Sequence, residues 1–239
     1  MFFRMSVSTW ILLVTVSFVP AVLYVIWIRN TERCHRQNWW SIAACFLWGA
    51  SIAVLAALIL EVLFGIPLAV TIQNENKLYF FSVVVLAPII EEFTKPLALR
   101  LRSVKKGITE LEDGFVYGAV AGLGFSATEN LFYGLDFLAE GLLLFLVFMI
   151  VRSIGGCLLH ASATALTGYG YGKTLLKRTS ILHIFPYFLL AIGAHSFYNF
   201  LVTYQITGAA TGLFLALFFV IFSITLIRKK IKTLDRQNC

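Results

Sequence analysis

Long apolar runs separated by short polar stretches repeat along the chain, at about 6–28, 39–60, 79–99, 114–134, 141–166, 181–204 and 208–227. Each is close to the roughly 20 residues that carry an α-helix across a hydrocarbon layer. Inside lipid a chain has no water to satisfy its backbone groups, so helices are the form such runs take. The pattern predicts an all-α, polytopic transmembrane helix bundle of about seven spans. It is read as one transmembrane domain over 1–239, because no polar stretch is long enough to fold by itself.

Composition agrees, with 59% apolar and only 13% charged residues and a mean hydropathy of +0.86. Soluble domains carry roughly 25% charged residues. The net charge of +7 lies in clusters between the runs and not in a stripe, which argues against a nucleic-acid partner and for a lipid bilayer. Arg29, Arg33 and Arg36 follow the first run; Arg100, Arg102, Lys105 and Lys106 the third; Lys173, Lys177 and Arg178 the fifth; and five Lys or Arg the seventh. The alternate loops are almost free of them. The positive-inside rule then puts the N-terminus outside and the C-terminus inside. No small-x-small cleavage pattern follows the first run, so it reads as a span and not a removed leader. Cys34, Cys45, Cys157 and Cys239 show no paired spacing, and no disulfide framework is expected from them.

The exceptions inside the runs carry the chemistry. The third holds Glu91, Glu92 and Lys95 between Pro88 and Pro96; the fourth, Glu129 and Asn130; the fifth, Arg152 and His160; the sixth, His195 and Asn199. Each charge costs about 2.5–3.5 kcal/mol at a span centre, so a chain that only had to fold would use leucine there. Glu91 and Lys95 are one turn apart, acid first, the better order for a pair. Glu92 points about 100° away around the helix, so two carboxylates compete for one lysine. Such a pair suits a group that takes a proton from water and returns it. Arg152 and His160 share a helix face, as do His195 and Asn199. Arg152 reads as counterion to Glu129 or the glutamate pair, and the prolines should kink the third helix beside the glutamates. Gly118, Gly122 and Gly124 allow close helix packing, and Gly168, Gly170 and Gly172 are expected to end the fifth helix. Glu61, Asp136 and Glu140 fall at span ends and read as solvated.

Acids and histidines converging from four helices can activate a water and stabilise an oxyanion, which suffices for peptide hydrolysis. They could also serve a proton-coupled membrane transporter or a non-catalytic membrane scaffold, though no internal repeat supports a carrier. His160 and His195 could ligate zinc. The H-E-x-x-H spacing is missing, however, and acids outnumber good zinc ligands, so a water activated by glutamate without a cofactor is the expectation and zinc the alternative.

The segments E-E-F-T-K at 91–95, D-G-F-V-Y-G-A-V-A-G-L-G-F-S-A-T-E-N-L-F-Y at 113–133, R-S-I-G-G-C-L-L-H-A-S-A-T-A-L-T-G-Y-G-Y-G at 152–172 and H-S-F-Y-N at 195–199 come in order, each in a predicted span. In these segments the chain resembles the PrsW family of intramembrane proteases, relatives of the prenyl-protein CAAX endopeptidases. The likeness covers about 86–200, the catalytic core helices. It implies a glutamate-type endopeptidase of the bacterial cytoplasmic membrane acting on a single-span, membrane-anchored substrate of the anti-sigma-factor type. It also implies Glu91, Glu92, Glu129, His160, His195 and Asn199 as catalytic residues, with Lys95, Arg152 and Asn130 supporting them.

Overall fold

The computed structural model describes residues 6–204 and 208–239, and every regular element among them is helical. In chain order the helices are α1 (Val7–Arg29), α2 (Trp39–Thr71), α3 (75–100), α4 (Arg102–Gly107), α5 (Leu111–Leu138), α6 (Leu142–Lys177), α7 (Ile181–Thr203) and α8 (Ala209–Asn238). Five of them, α1, α2, α6, α7 and α8, are long and apolar enough to cross a membrane. Their outward faces carry large apolar side chains such as Ile11, Leu55, Leu143, Leu190 and Phe218, the surface lipid requires.

The other two predicted spans differ in kind. The third run is no regular helix: α3 widens to a π turn over Phe81–Leu86, returns to α over Ala87–Thr94 and tightens to 3₁₀ over Lys95–Arg100. Pro88 and Pro96 lie next to the two changes of pitch, each withholding an N–H from the preceding turn. The fourth run, within α5, has the 28 residues to span but is rich in Gly, Ala, Ser and Thr. It is buried almost without interruption from Glu112 to Ala127, packed by α1, α2, α6 and α8. A helix enclosed by other helices needs no lipid-facing hydrophobicity.

Glycine sets how closely α5 and α6 approach. A Cβ on Gly118 would stand 2.5 Å from the Thr164 carbonyl oxygen, and one on Gly122 closer than 3.0 Å to that of His160. The glycines expected to end the fifth helix do not end it: α6 continues through Gly168, Gly170 and Gly172 to Lys177. Gly168 packs on Gly114, so backbone contact with α5 offsets the ~1 kcal/mol helix cost of glycine.

Helix α8 also overruns its apolar run, and its last turns pack on the 30–38 loop. Asp235 accepts hydrogen bonds from the backbone N–H groups of Arg33 and Cys34. Cys34 and Cys239 are disulfide-bonded, contrary to the sequence expectation. They are separated by 205 positions in the sequence, so no local spacing signals the pair.

Beside this contact lies a buried acidic group outside the spans. Asp113 caps α5, accepting from the backbone N–H groups of Thr109 and Glu110, 2.7 Å each, and from the Gln37 amide. Burial pushes its pKa up to about 6 against the pull of those donors. Glu32 is fully buried, with the Gln37 backbone N–H close enough to offset part of the cost of its charge. Burial first, and the nearby charge of Asp113 second, raise it to about 9.

Candidate active site

The polar residues of α3, α5, α6 and α7 meet in one buried network centred on Lys95. Its ammonium, wholly buried, donates to Glu91 Oε2 at 3.1 Å, to Glu92 Oε1 at 2.7 Å and to His160 Nδ1 at 2.8 Å. The ring of Phe125 lies 4.8 Å beneath it. One lysine does serve both glutamates: Glu92 precedes it by three residues and Glu91 by four, the two spacings that meet on one side of a helix.

The two glutamates are not equivalent. Glu92 is fully buried and fully engaged: Oε1 accepts from Lys95 and from His195 Nδ1 at 2.9 Å, and Oε2 from the Thr164 hydroxyl at 2.9 Å. Glu91 directs Oε2 into the centre, while its Oε1 has no hydrogen-bond partner among the described residues.

The partners also set the histidine tautomers. His160 Nε2 contacts only an acceptor, Glu129 Oε2 at 2.8 Å, so it carries the proton, and Nδ1 accepts from Lys95. His195 donates Nδ1–H to Glu92, which leaves the Nε2 lone pair free. Those two lone-pair nitrogens are the ones nearest Glu91 Oε2, at 3.6 Å for His160 and 3.9 Å for His195. The rings stand edge to face, 5.0 Å apart. Glu129 is held in turn by Arg152 at 2.7 Å, and Arg152 donates from Nε to Asn130 at 2.9 Å and lies over the Tyr133 ring. Arg152 is thus the counterion of Glu129, as one of its two expected partners.

Asn199 stands apart from the carboxylates. Its amide donates 2.9 Å to the Val83 carbonyl, in the wide turn of α3 from which Pro88 withholds a donor, and so ties α7 to α3. Thr164 and Phe125 belong to the network and were missed in the sequence. Thr164 sits one turn beyond His160 on the same face, which is the signal that could have found it.

One donor atom each of Glu91, His160 and His195 lies within 4.8 Å of the others, a group able to hold a metal ion. Two imidazole lone pairs, that of His195 free and that of His160 accepting from Lys95, and one carboxylate form the ligand set of many hydrolytic zinc sites. Each imidazole is also oriented by a carboxylate on its far nitrogen, Glu129 or Glu92, the usual outer support of a metal-bound histidine. Charge points the same way. Three carboxylates face two fixed cations, Lys95 and Arg152, which leaves one unbalanced negative charge when both histidines are neutral.

Fold and site together define a multi-span membrane hydrolase with a buried glutamate–histidine centre. The chain belongs to the PrsW family of intramembrane metalloproteases, whose model matches residues 37–226. It is 27% identical over 190 residues to Protease PrsW of Clostridioides difficile (strain 630), covering 78% of this chain and 77% of that protein. No solved structure matches it significantly. The chain is a peptidase of the membrane, and the transporter and scaffold alternatives give way to that class.

Proposed function

We propose that the chain cuts a single-span, membrane-anchored protein of the anti-sigma-factor type, and that Glu91 is the carboxylate at which the attacking water is activated. The observation that carries this is the division of labour between the glutamates. Glu92 spends both oxygens on Lys95, His195 and Thr164, whereas Glu91 keeps Oε1 for a reactant. On this reading Glu92 and Glu129 hold the two imidazoles in their tautomers, Arg152 and Asn130 hold Glu129, and Asn199 holds α7 against α3. Lys95 is the shared ion-pair partner of the paired acids and is the cation nearest the oxyanion that forms on attack. The seven spans, with α3 and α5 as the third and fourth, the N-terminus outside and the bacterial cytoplasmic membrane as the site, are part of the same proposal.

The donor set fits a divalent metal, so we assign Glu91 Oε2, His160 Nδ1 and His195 Nε2 as the residues that would hold zinc. When bound, such an ion lowers the pKa of its water toward about 7 and polarises a carbonyl. Lys95 must then release His160 Nδ1, which it can do while keeping both carboxylates. The metal-free arrangement expected from the sequence uses the same residues, with Glu91 taking the water's proton directly. The test is cleavage of an anti-sigma-type single-span peptide in proteoliposomes, read by mass spectrometry, with elemental analysis of the same protein. We expect fragments, close to one zinc per chain, and activity lost to a chelator and restored by zinc. Intact peptide would refute the substrate reading; full activity in metal-depleted protein would return the mechanism to glutamate alone.

A further inference from the structure

A cavity of about 320 Å³ between α3, α6 and α7 borders the network at one end. Glu92 lines it, and so does Arg100, eight residues along α3. Pro96 of α3 and Phe188 of α7 form opposite walls, and Thr167 and Tyr171 of α6 line it between them. Along α6 the residues His160, Thr164, Thr167, Tyr171 and Thr174 follow at intervals of four, three, four and three, so they share one face. That face begins with the histidine of the network, continues with the hydroxyl that holds Glu92, and then enters the cavity.

Two observations mark the cavity as a binding site for a chain and not a packing gap. Thr167 is 4% exposed, yet its hydroxyl has no hydrogen-bond partner among the described residues. A buried hydroxyl ordinarily bonds at least the carbonyl one turn back, so an unused one signals a ligand. Thr174, next along the face, is likewise unpartnered and lines an adjoining cavity with Tyr171, Ile181 and Ile184. The second observation is the arrangement of ends: an apolar passage leads from a carboxylate of the network to a guanidinium. From residue 92 to 100 the mixed α and 3₁₀ rise of α3 gives roughly 12–16 Å. An extended peptide covers that with about four residues, at ~3.3–3.6 Å each.

We propose that this passage is the substrate channel. It takes about four extended residues on the Lys/Arg-rich side of the cleaved bond, with apolar side chains between the two walls, Thr167 hydrogen-bonded to their backbone and Arg100 paired with an acidic side chain at the far end. This rests on the peptidase reading and adds where, and in what conformation, the substrate lies. Unwinding is required because a helix has no free backbone groups to offer Thr167 and presents its peptide bonds to no catalyst.

The test separates the two claims. A single-span peptide carrying one photoreactive apolar residue at successive positions is bound to the wild-type protein on ice and to Glu91→Gln, irradiated, and the adducts are mapped by mass spectrometry. Cleavage of the same peptides is followed at working temperature. We expect adducts on Thr167, Tyr171 and Phe188 from positions on one side of the cleaved bond only. Thr167→Val should raise KM by about three- to tenfold, as for loss of one hydrogen bond, with kcat nearly unchanged. Arg100→Gln should do so only for peptides that keep the acidic residue. Adducts elsewhere in a protein that cleaves normally overturn the channel and leave the peptidase reading standing. Adducts at these three residues with no cleavage support the channel and sink the assignment of substrate. Equal KM values for Thr167→Val and wild type, with acidic and neutral peptides alike, also overturn it.

Discussion

Changing one carboxylate to its amide at Glu91 and at Glu92 should give opposite phenotypes, although the two residues are adjacent. At Glu91 the ammonium of Lys95 keeps its shorter partner, Glu92 Oε1 at 2.7 Å, and no donor is stranded. Glu91→Gln should therefore fold and melt close to wild type while cleaving about 10²–10⁴-fold more slowly, the range for loss of a general base. At Glu92 three buried donors lose their acceptor charge together, those of Lys95, His195 and Thr164. Breaking a buried pair from one side costs about 3–5 kcal/mol. Glu91 still faces Lys95 at 3.1 Å, so the low end, about 3 kcal/mol, is expected for Glu92→Gln. At ~2–4 °C per kcal/mol for a chain of this length, the melting temperature should fall by about 6–12 °C. The assay pairs thermal unfolding in detergent with peptide cleavage in proteoliposomes. A Glu91→Gln protein of wild-type stability that cleaves within about threefold of normal, far outside the loss of a base, would refute the assignment of Glu91. A Glu92→Gln protein with unchanged melting would refute the anchoring role of Glu92.

Two further outcomes follow from the parts outside the site. The folded Glu32 carboxyl holds its proton up to about pH 9, while the unfolded one loses it near 4.5. Between those values the folded state binds the extra proton, so stability falls as pH rises through that window, by about 3 kcal/mol at pH 7 at ~1.36 kcal/mol per unit. Glu32→Gln should melt higher than its parent at pH 8 and equal it near pH 4; a variant that melts lower at pH 8 would contradict the burial argument. For topology, single cysteines placed in the 101–110 and 173–180 loops of intact cells should resist an impermeant maleimide, while cysteines at 72–74 and 139–141 should react; the reverse pattern would overturn the N-out arrangement.

The network was legible in the sequence to the extent that it depends on cost. Glu91, Glu92, Lys95, Glu129, Arg152, His160 and His195 are the ionisable residues deep in apolar runs, and the structure joins all seven by hydrogen bonds. Helical spacing alone could not say which glutamate was free. Regular helix geometry lets Lys95 reach Glu92 at i, i+3 as well as Glu91 at i, i+4, so spacing does not separate the two carboxylates. Asn199 shows the opposite limit. Its place one turn from His195 suggests membership of the centre, but its amide answers a carbonyl on another helix, a long-range relation no spacing encodes. The same holds for Cys34 and Cys239, joined only because α8 continues past its apolar run.

Why a helix rich in glycine and alanine lies at the middle of a membrane protein follows from what the site demands. Hydrolysis needs carboxylates and imidazoles fixed at hydrogen-bond distance in a place shielded from lipid and bulk water. Both Glu129 of α5 and His160 of α6 have short reach from their backbones, so the two helices must nearly touch. Glycine at 118 and 122 permits that approach, and the result is the 2.8 Å contact of His160 with Glu129. A leucine-rich α5 would satisfy lipid better but would hold α6 farther away, and the imidazole would lose the carboxylate that sets its tautomer. The surrounding apolar helices bear the contact with lipid, which frees α5 to be small and polar. Low hydropathy at the centre of this bundle is therefore a requirement of the chemistry, and it falls on α5, which supplies Glu129 and the glycines that bring His160 to it.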